Sequence, residues 1–268
     1  MVKLLYTSPL WLISNGIRQS HNTTNKADSY WLDGMSTECP YCGSNELEES
    51  VSQYACNVTS ICTACGANLQ IHTGEKDYNL IKRVGFKFKH ESILEHSLIV
   101  YEFEASRALL QELSRHRIGV GPTIKSTRYT LKELKDEKNF ITYGEVEGEN
   151  VATHYDLKRA SKYVVLTDDD TTNAYIIDAL ERVKWLMQEN KSNDIAKYAL
   201  PEAYKFKGQV SFNLRSLLHL LKLRIDKSAL KEFRLLCKNI INSLPLEWKE
   251  LVLLDEQIKR NYKELNNE

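Results

Sequence analysis

The chain has 268 residues, of which 42% are apolar and 27% charged, and its 36 Lys and Arg balance its 36 Asp and Glu. This composition excludes disordered, collagen-like and disulfide-scaffold proteins. Because the net charge is zero, overall charge attracts neither nucleic acid nor an anionic membrane, and we expect neither partner. No stretch reaches the roughly 18 apolar residues of a membrane span. Thr7, Ser8 and Pro9 interrupt the apolar N-terminus, unlike a signal peptide. The sequence predicts a cytoplasmic, globular protein.

Hydrophobic patterning predicts a helix-rich chain. Short β-branched and aromatic runs predict strands at residues 3–6 and 97–105. Apolar residues at helical spacing predict helices after Gly74, at 107–115, at 171–188, from about Asn213, at 228–243 and at 246–265. Gly119, Gly121 and Pro122 break any helix beyond residue 117 and predict a glycine-containing loop there. The predicted fold is α/β (α+β), helix-rich with a central sheet.

Five of the six cysteines fall in a polar, turn-rich stretch at about residues 20–74 that has the composition of an insertion. Two Cys-x-x-Cys pairs, 19 residues apart, have the spacing of a zinc ribbon: Cys39, Cys42, Cys62 and Cys65. Four thiolates fill the tetrahedral shell of Zn²⁺, so the predicted metal is structural. We therefore predict a zinc ribbon at residues 37–72 that interrupts one domain covering 1–268.

Alternatives to zinc are a reduced thiol cluster or a redox pair, and Cys56 and His72 are additional candidate ligands. Between Cys42 and Cys62 there is no Lys or Arg. This makes the segment a poor surface for phosphate groups, so a structural or protein-interaction role is favoured. Cys237 lies in an apolar helical pattern and is predicted to be a buried thiol.

A basic cluster follows the helix at 107–115. Its members surround the glycine-containing loop: Arg115, His116, Arg117, Lys125 and Arg128. Guanidinium groups and loop amides suit a doubly anionic phosphate. Composition alone favours the simpler interpretation, a solvated basic loop.

A second set of basic residues lies on the helix that begins near Asn213. Arg215 and His219 are four residues apart and share one face. Arg224 is nine residues beyond Arg215, which places it about 180° around the helix. Either the helix ends between the two arginines or its two faces serve different sites, as in an oligomer with shared active sites.

Several ordered motifs together resemble the flavin-dependent thymidylate synthases. Arg115-His-Arg117 followed by Ser126-Thr-Arg-Tyr129 is similar to the family signature. His90-Glu-Ser-Ile-Leu-Glu-His96, Ala196-Lys-Tyr-Ala-Leu-Pro201 and Asn213-Leu-Arg-Ser-Leu resemble three further family blocks in the family's order. Two features depart from the family: eight residues instead of seven lie within the signature, and the zinc ribbon is additional.

The resemblance implies methylation of dUMP to dTMP, with methylenetetrahydrofolate as carbon donor, hydride from FAD reduced by NADPH, and a homotetramer with shared active sites. It implies FAD binding by Ser92, Arg115, His116, Arg117, Asn213, Leu214, Arg215 and His219. It implies dUMP binding by Glu112, Leu113, Ser114, Arg115, Ser126, Thr127, Arg128, Lys197 and Arg224. Arg224 is the implied catalytic residue, favouring ionisation of the pyrimidine at N3.

Individual residues keep simpler interpretations. His96 is predicted to be a hydrogen-bonded structural histidine, whereas His90 is equally consistent with a position beside the flavin or folate.

Two alternatives to thymidylate synthesis remain open. One is a related flavin- and folate-dependent enzyme that methylates or hydroxymethylates another nucleotide such as dCMP. The other is an inactive scaffold whose zinc ribbon binds protein or nucleic acid.

Overall fold

The computed structural model describes residues 1–29, 44–51, 58–64, 68–69, 73–126 and 131–267. Its strands are β1 Val2–Thr7, β2 Leu47–Val51, β3 Val58–Cys62, β4 Asn68–Leu69, β5 Ile99–Ser106, β6 Val120–Ile124, β7 Ile141–Val146, β8 Glu149–Tyr155 and β9 Lys205–Phe212. Its α-helices are α1 Trp11–Ser20, α2 Glu75–Ile81, α3 Arg107–Leu113, α4 Leu157–Ala160, α5 Asp170–Gln188, α6 Asn193–Ala196, α7 Leu214–Arg224, α8 Lys231–Ser243, α9 Leu246–Val252 and α10 Glu256–Asn267. Short 3-10 helices lie at Thr24–Lys26, Glu91–Glu95, Leu131–Leu134 and Lys197–Ala199, and a π-helix, Lys82–Lys87, continues α2. Within these ranges no helix has both the length and the apolar character needed to cross a membrane.

The described strands form three sheets. The central sheet has four strands in the order β1–β5–β9–β6. The strands β2, β3 and β4 form a separate antiparallel sheet, and β7 and β8 form an antiparallel hairpin. The predicted helix-rich α+β class with a central sheet is therefore confirmed.

Three predictions about the elements need correction. The single helix predicted at 246–265 is wrong, because α9 and α10 are separate helices. The Asp255 carboxylate accepts a hydrogen bond from the Ile258 N–H (3.2 Å) and so caps a new helix. The helix predicted from residue 228 begins at Lys231, after a turn in which Asp226 accepts from the Ser228 N–H (3.0 Å). The predicted loop after residue 117 contains strand β6, where Pro122 is tolerated because β6 is last in the sheet order.

The chain divides into two compact units. Unit 1 comprises Met1, Glu102–His116 and Pro122–Gln209. Unit 2 comprises Val2–Tyr101, Arg117–Gly121 and Val210–Glu268. The predicted site residues are distributed over both units.

Helix α5 supplies the core of unit 1. Its buried residues Ile177, Leu180 and Val183 recur at helical spacing and belong to one cluster with Phe140 of the neighbouring segment. Lys184 is also buried, and its ammonium group lies 2.9 Å from the Glu181 carboxylate. An ion pair with nearby hydrogen bonds is the usual way in which a buried lysine is accommodated.

In unit 2, a buried ion pair joins α1 to α2. The guanidinium of Arg18 contacts the carboxylate of Asp77, and both side chains are almost fully buried. Breaking such a pair by removing one partner costs about 3 kcal/mol. Asp77 also lies in the first turn of α2, where a carboxylate interacts favourably with the helix dipole.

The N-terminus of α2, which follows the predicted 37–72 insertion, is capped by Asp28, which precedes it. The Asp28 carboxylate accepts hydrogen bonds from the backbone N–H groups of Lys76 (2.8 Å) and Asp77 (2.9 Å). Burial by itself raises the pKa of Asp28, but these hydrogen bonds outweigh it and hold the pKa below its usual value. Gly74 N–H donates to the Ser29 hydroxyl (2.9 Å), so the chain on both sides of residues 30–73 is joined by hydrogen bonds.

Candidate functional site

Helix α7 of unit 2 begins where the sequence predicts, because Asn213 is its N-cap. The Asn213 side-chain oxygen accepts a hydrogen bond from the Ser216 N–H (2.8 Å). Leu214 donates its N–H to the Ser97 hydroxyl (2.8 Å), and its side chain is fully buried. The Leu214 side chain therefore packs in the core, and its backbone N–H is paired within the protein.

Arg215 lies on the exposed face of α7 that also carries His219. Its guanidinium is held by two carboxylates of the 3-10 helix Glu91–Glu95: Nη1 is 2.6 Å from Glu95 Oε1, and Nε is 3.6 Å from Glu91 Oε2. Because the Arg215 side chain is 46% exposed, part of the guanidinium still faces solvent. This face can present a charge-assisted donor to an anion. Ser92, another predicted FAD ligand, is exposed on the same 3-10 helix.

Arg224 lies at the other end of α7. Its guanidinium carbon is 5.3 Å from the centre of the Phe233 ring in α8, a cation–π contact. Burial raises the pKa of the Cys237 thiol in the same helix, and the charge of Arg224 acts in the opposite direction. The prediction that Cys237 is buried is confirmed. Since α7 is continuous from Leu214 to Arg224, the two arginines serve different faces of one helix.

Arg117 is exposed and precedes a segment that is attached to α7. The backbone N–H of Asn213 donates to the carbonyl of Gly119 (3.2 Å). The hydroxyl of Ser216 donates to the carbonyl of Ile118 (2.7 Å). Within unit 2, the structure thus joins the end of the first basic motif to the start of the second.

Five of the predicted residues lie in unit 1, at the C-terminal end of α3 and just beyond it. Leu113 is buried, so its side chain packs in the core. Ser114 is exposed, and its hydroxyl donates to the Gln111 carbonyl (2.8 Å). Glu112 and His116 are partly buried, whereas Arg115 is exposed. This turn therefore presents the carboxylate, the imidazole and the guanidinium within five consecutive residues.

Two further predicted dUMP ligands lie elsewhere in unit 1. Ser126 is exposed just beyond β6. Lys197, in the 3-10 helix Lys197–Ala199, has its ammonium group 3.7 Å from the Asp194 carboxylate. Thr127 and Arg128 lie outside the described residues.

Of the four predicted zinc ligands, only Cys62 lies within the described residues. Cys39, Cys42 and Cys65 lie outside the described residues, as do Cys56 and His72. Cys62 is the last residue of β3, for which the backbone is described. Within the described part of the chain, no cluster of three or more His, Cys, Asp or Glu side chains is arranged to hold a metal.

Sequence reasoning missed four residues that organise this region: Glu91, Glu95, Ser97 and Ser216. The two glutamates were visible in the His90–His96 motif but were given no partner. A carboxylate four residues from another on a short helix could have suggested a cation between them. Ser97 and Ser216 carried no such signal, because their hydrogen bonds join segments distant in sequence. His96, predicted to be structural, has its ring packed against Gly16.

Exposed arginine side chains that can donate hydrogen bonds, on a helix-rich α+β fold, are typical of an enzyme that binds an anionic cofactor or nucleotide. The family described as "Thymidylate synthase complementing protein" matches residues 44–246. This match begins inside the predicted 37–72 insertion and therefore does not delimit it. A curated flavin-dependent thymidylate synthase of Helicobacter pylori (strain J99) is 44% identical over 182 residues, which are 66% of this chain and 82% of that protein. One from Campylobacter jejuni (strain RM1221) is 45% identical over 177 residues, with coverage of 66% and 79%.

Solved structures give the same result. Thymidylate synthase X from H. pylori, crystallised with FAD and dUMP, superposes with a TM-score of 0.70 at 34% identity, covering 96% of this chain and 98% of that one. A UMP/dUMP methylase, PolB from Streptomyces cacaoi, shares the fold at a TM-score of 0.54 and 15% identity, covering 97% and 94%. The chain belongs to the flavin-dependent thymidylate synthases. The function predicted from the sequence motifs is thereby confirmed at the level of the family.

Proposed function

We propose that this chain converts dUMP to dTMP. Methylenetetrahydrofolate supplies the carbon to C5 of the pyrimidine, and NADPH supplies the hydride through FAD, so that tetrahydrofolate and NADP⁺ are the other products. The observation that carries the proposal is the exposed face of α7 that presents Arg215 and His219, where Glu91 and Glu95 hold the Arg215 guanidinium in place. The H. pylori relative with FAD and dUMP supports the same ligands.

The donor set of unit 2 fits FAD. A dinucleotide carries a diphosphate, and an oriented guanidinium with an imidazole one turn further along the helix matches such an anion. In the proposed complex Arg215, His219, Arg117 and Ser92 bind the cofactor, and Asn213 shapes the backbone that presents them. Bound FAD supplies the hydride chemistry, while the protein supplies position and charge.

The dUMP site is proposed to use Glu112, Ser114 and Arg115 at the end of α3, together with Ser126, Thr127, Arg128 and Lys197. Arg224 is proposed to lie against the pyrimidine. A fixed guanidinium there stabilises negative charge on the ring and makes C5 more nucleophilic. The Phe233 ring beneath Arg224 supports this assignment, because it limits the orientations of the guanidinium.

We also propose a homotetramer with shared active sites, located in the cytoplasm. The supporting observation is the continuous helix α7, whose two arginines face different directions. In an oligomer the Arg215 face of one subunit and the Arg224 face of another can complete one site.

A visible absorption titration tests the proposed ligands. We expect the purified protein to bind FAD and the flavin band to shift when dUMP is added. Formation of dTMP should then require methylenetetrahydrofolate and NADPH, as measured by chromatography of the nucleotides. A flavin band indifferent to dUMP but shifted by dCMP would reassign the substrate, in keeping with the extra residue in the signature. Absence of FAD binding would reject the proposal and favour a zinc-binding scaffold.

For the cysteine-rich segment we propose one structural Zn²⁺ held by Cys39, Cys42, Cys62 and Cys65. The antiparallel sheet of β2, β3 and β4 supports it, since Leu47 pairs with Cys62 at the end of β3. Zinc ribbons combine a small antiparallel sheet with four cysteine ligands.

Elemental analysis should find one zinc per chain. We expect Cys62→Ser to lose the metal, because three thiolates hold a structural zinc much less tightly than four. Cys237→Ser is the matched control and should retain it, since Cys237 is buried in α8. A metal-free wild-type protein, or equal zinc loss in both variants, would contradict the zinc assignment.

A further inference from the structure

One hydrogen bond connects the two arginine-bearing segments of unit 2. The Ser216 hydroxyl donates to the Ile118 carbonyl at 2.7 Å, and Ser216 is only 8% exposed. Ile118 directly follows Arg117, and Ser216 directly follows Arg215. The bond therefore joins the backbones that carry two predicted FAD ligands.

The neighbouring glycine makes this approach possible. Gly119 has a φ of +65°, a conformation that residues with side chains rarely adopt. A Cβ at this position would lie 2.2 Å from the Ser216 hydroxyl oxygen and 2.4 Å from Nδ2 of Asn213. Any side chain would push the segment away from α7. The Gly119 carbonyl in turn accepts the Asn213 N–H at 3.2 Å, which gives a second bond between the same segments.

The ion pairs of Arg215 do not by themselves account for this connection. Glu91 and Glu95 hold the Arg215 guanidinium from the 3-10 helix Glu91–Glu95, which is a different element from the segment that carries Arg117. A neutral hydroxyl-to-carbonyl bond can keep the two backbones together in the empty protein.

We propose that Ser216 is a positioning residue for FAD, which keeps Arg117 and Arg215 at the spacing that the cofactor's anionic groups require. This inference rests on the proposed function, since it presumes that both arginines bind FAD. Ser216 acts through the backbone and needs no contact with FAD itself. Preorganisation of this kind raises affinity because less order has to be created on binding.

The test compares three variants by titration with FAD. Ser216→Ala removes the buried hydroxyl that donates to the Ile118 carbonyl, and we expect FAD to bind about tenfold more weakly. Ser216→Thr keeps the hydroxyl and should restore most of the affinity. The control is Ser211→Ala in β9, whose hydroxyl donates only a long bond (3.4 Å) to the Gly121 carbonyl of the same segment. That control should bind FAD like the wild type.

A second readout separates positioning from general stability. With FAD in large excess, kcat of Ser216→Ala should return close to the wild-type value, while half-saturation by FAD stays shifted. If Ser216→Ala does not fold, as judged by circular dichroism, Gly119→Ala tests the same contact and should also weaken FAD binding. Wild-type FAD affinity in a folded Ser216→Ala or Gly119→Ala variant would overturn the inference. Failure of the wild type itself to bind FAD would instead reject the proposed function.

Discussion

The Arg224→Ala variant is expected to bind FAD with wild-type affinity and to lose turnover by about a hundred- to a thousandfold. The two effects separate because Arg224 lies on the α8 side of α7, above Phe233, whereas the predicted FAD ligands Arg215 and His219 lie on another, exposed face of the same helix. The loss falls on kcat, since the proposed role is to stabilise charge that develops on the pyrimidine. FAD titration and the rate of dTMP formation measure both quantities.

Lys222→Ala provides the control for Arg224→Ala. Lys222 is a cation on the same helix, but its ammonium group is paired with the Asp255 carboxylate (2.8 Å). This variant should keep both FAD binding and turnover. Loss of FAD from Arg224→Ala would show that Arg224 has been assigned the wrong role, and unchanged turnover would remove it from the site altogether.

Arg215→Ala is expected to weaken FAD binding by about a hundredfold or more. The substitution removes a cation and also leaves the carboxylates of Glu91 and Glu95 without the guanidinium that they hold. Those carboxylates then repel an incoming diphosphate. Titration of flavin absorbance or fluorescence gives the dissociation constant.

The effect of this repulsion on FAD affinity can be measured separately from the effect of losing the arginine. Adding Glu91→Gln and Glu95→Gln to Arg215→Ala should recover part of the FAD affinity, because both negative charges are removed at nearly constant shape. If the triple variant binds no better than Arg215→Ala, the carboxylates do not face the cofactor.

The two arginine variants together test the shared active site. Co-expression of Arg215→Ala and Arg224→Ala chains produces mixed oligomers. If each site takes its Arg215 and its Arg224 from different subunits, some sites contain both arginines and the mixture regains turnover that neither variant has alone. An inactive mixture, with mixed oligomers verified by differently tagged chains, would place both arginines in the same subunit's site.

Helix α7 could be predicted closely from the sequence because its signals are local. Asn213 is a common N-cap residue, and the apolar spacing that follows fixes which side chains share a face. For the same reason, the opposed directions of Arg215 and Arg224 could be predicted from helical geometry alone. The roles of the two arginines came from the resemblance to the family motifs, because helical periodicity does not indicate what a side chain binds.

The remaining features depend on contacts between distant segments. Strand β6 was expected to be a loop, because its glycine and proline are compatible with a strand only at the edge of a sheet. The separation of α9 from α10 was missed because apolar spacing continues across Asp255, which caps the second helix. The cap on α2 comes from Asp28, on the far side of the cysteine-rich segment, so no local pattern indicates it.

The joined ends of residues 30–73 also bear on how this chain can vary. Ser29 and Gly74 are already neighbours through a hydrogen bond, and Asp28 caps α2 directly. The two ends of the intervening stretch are therefore held together by residues outside it, so neither helix dictates its length. Changing the length of a segment whose ends are already joined costs little conformational entropy. A short linker could replace it, and a different small domain could be grafted at the same point, while α1 and α2 keep their contact.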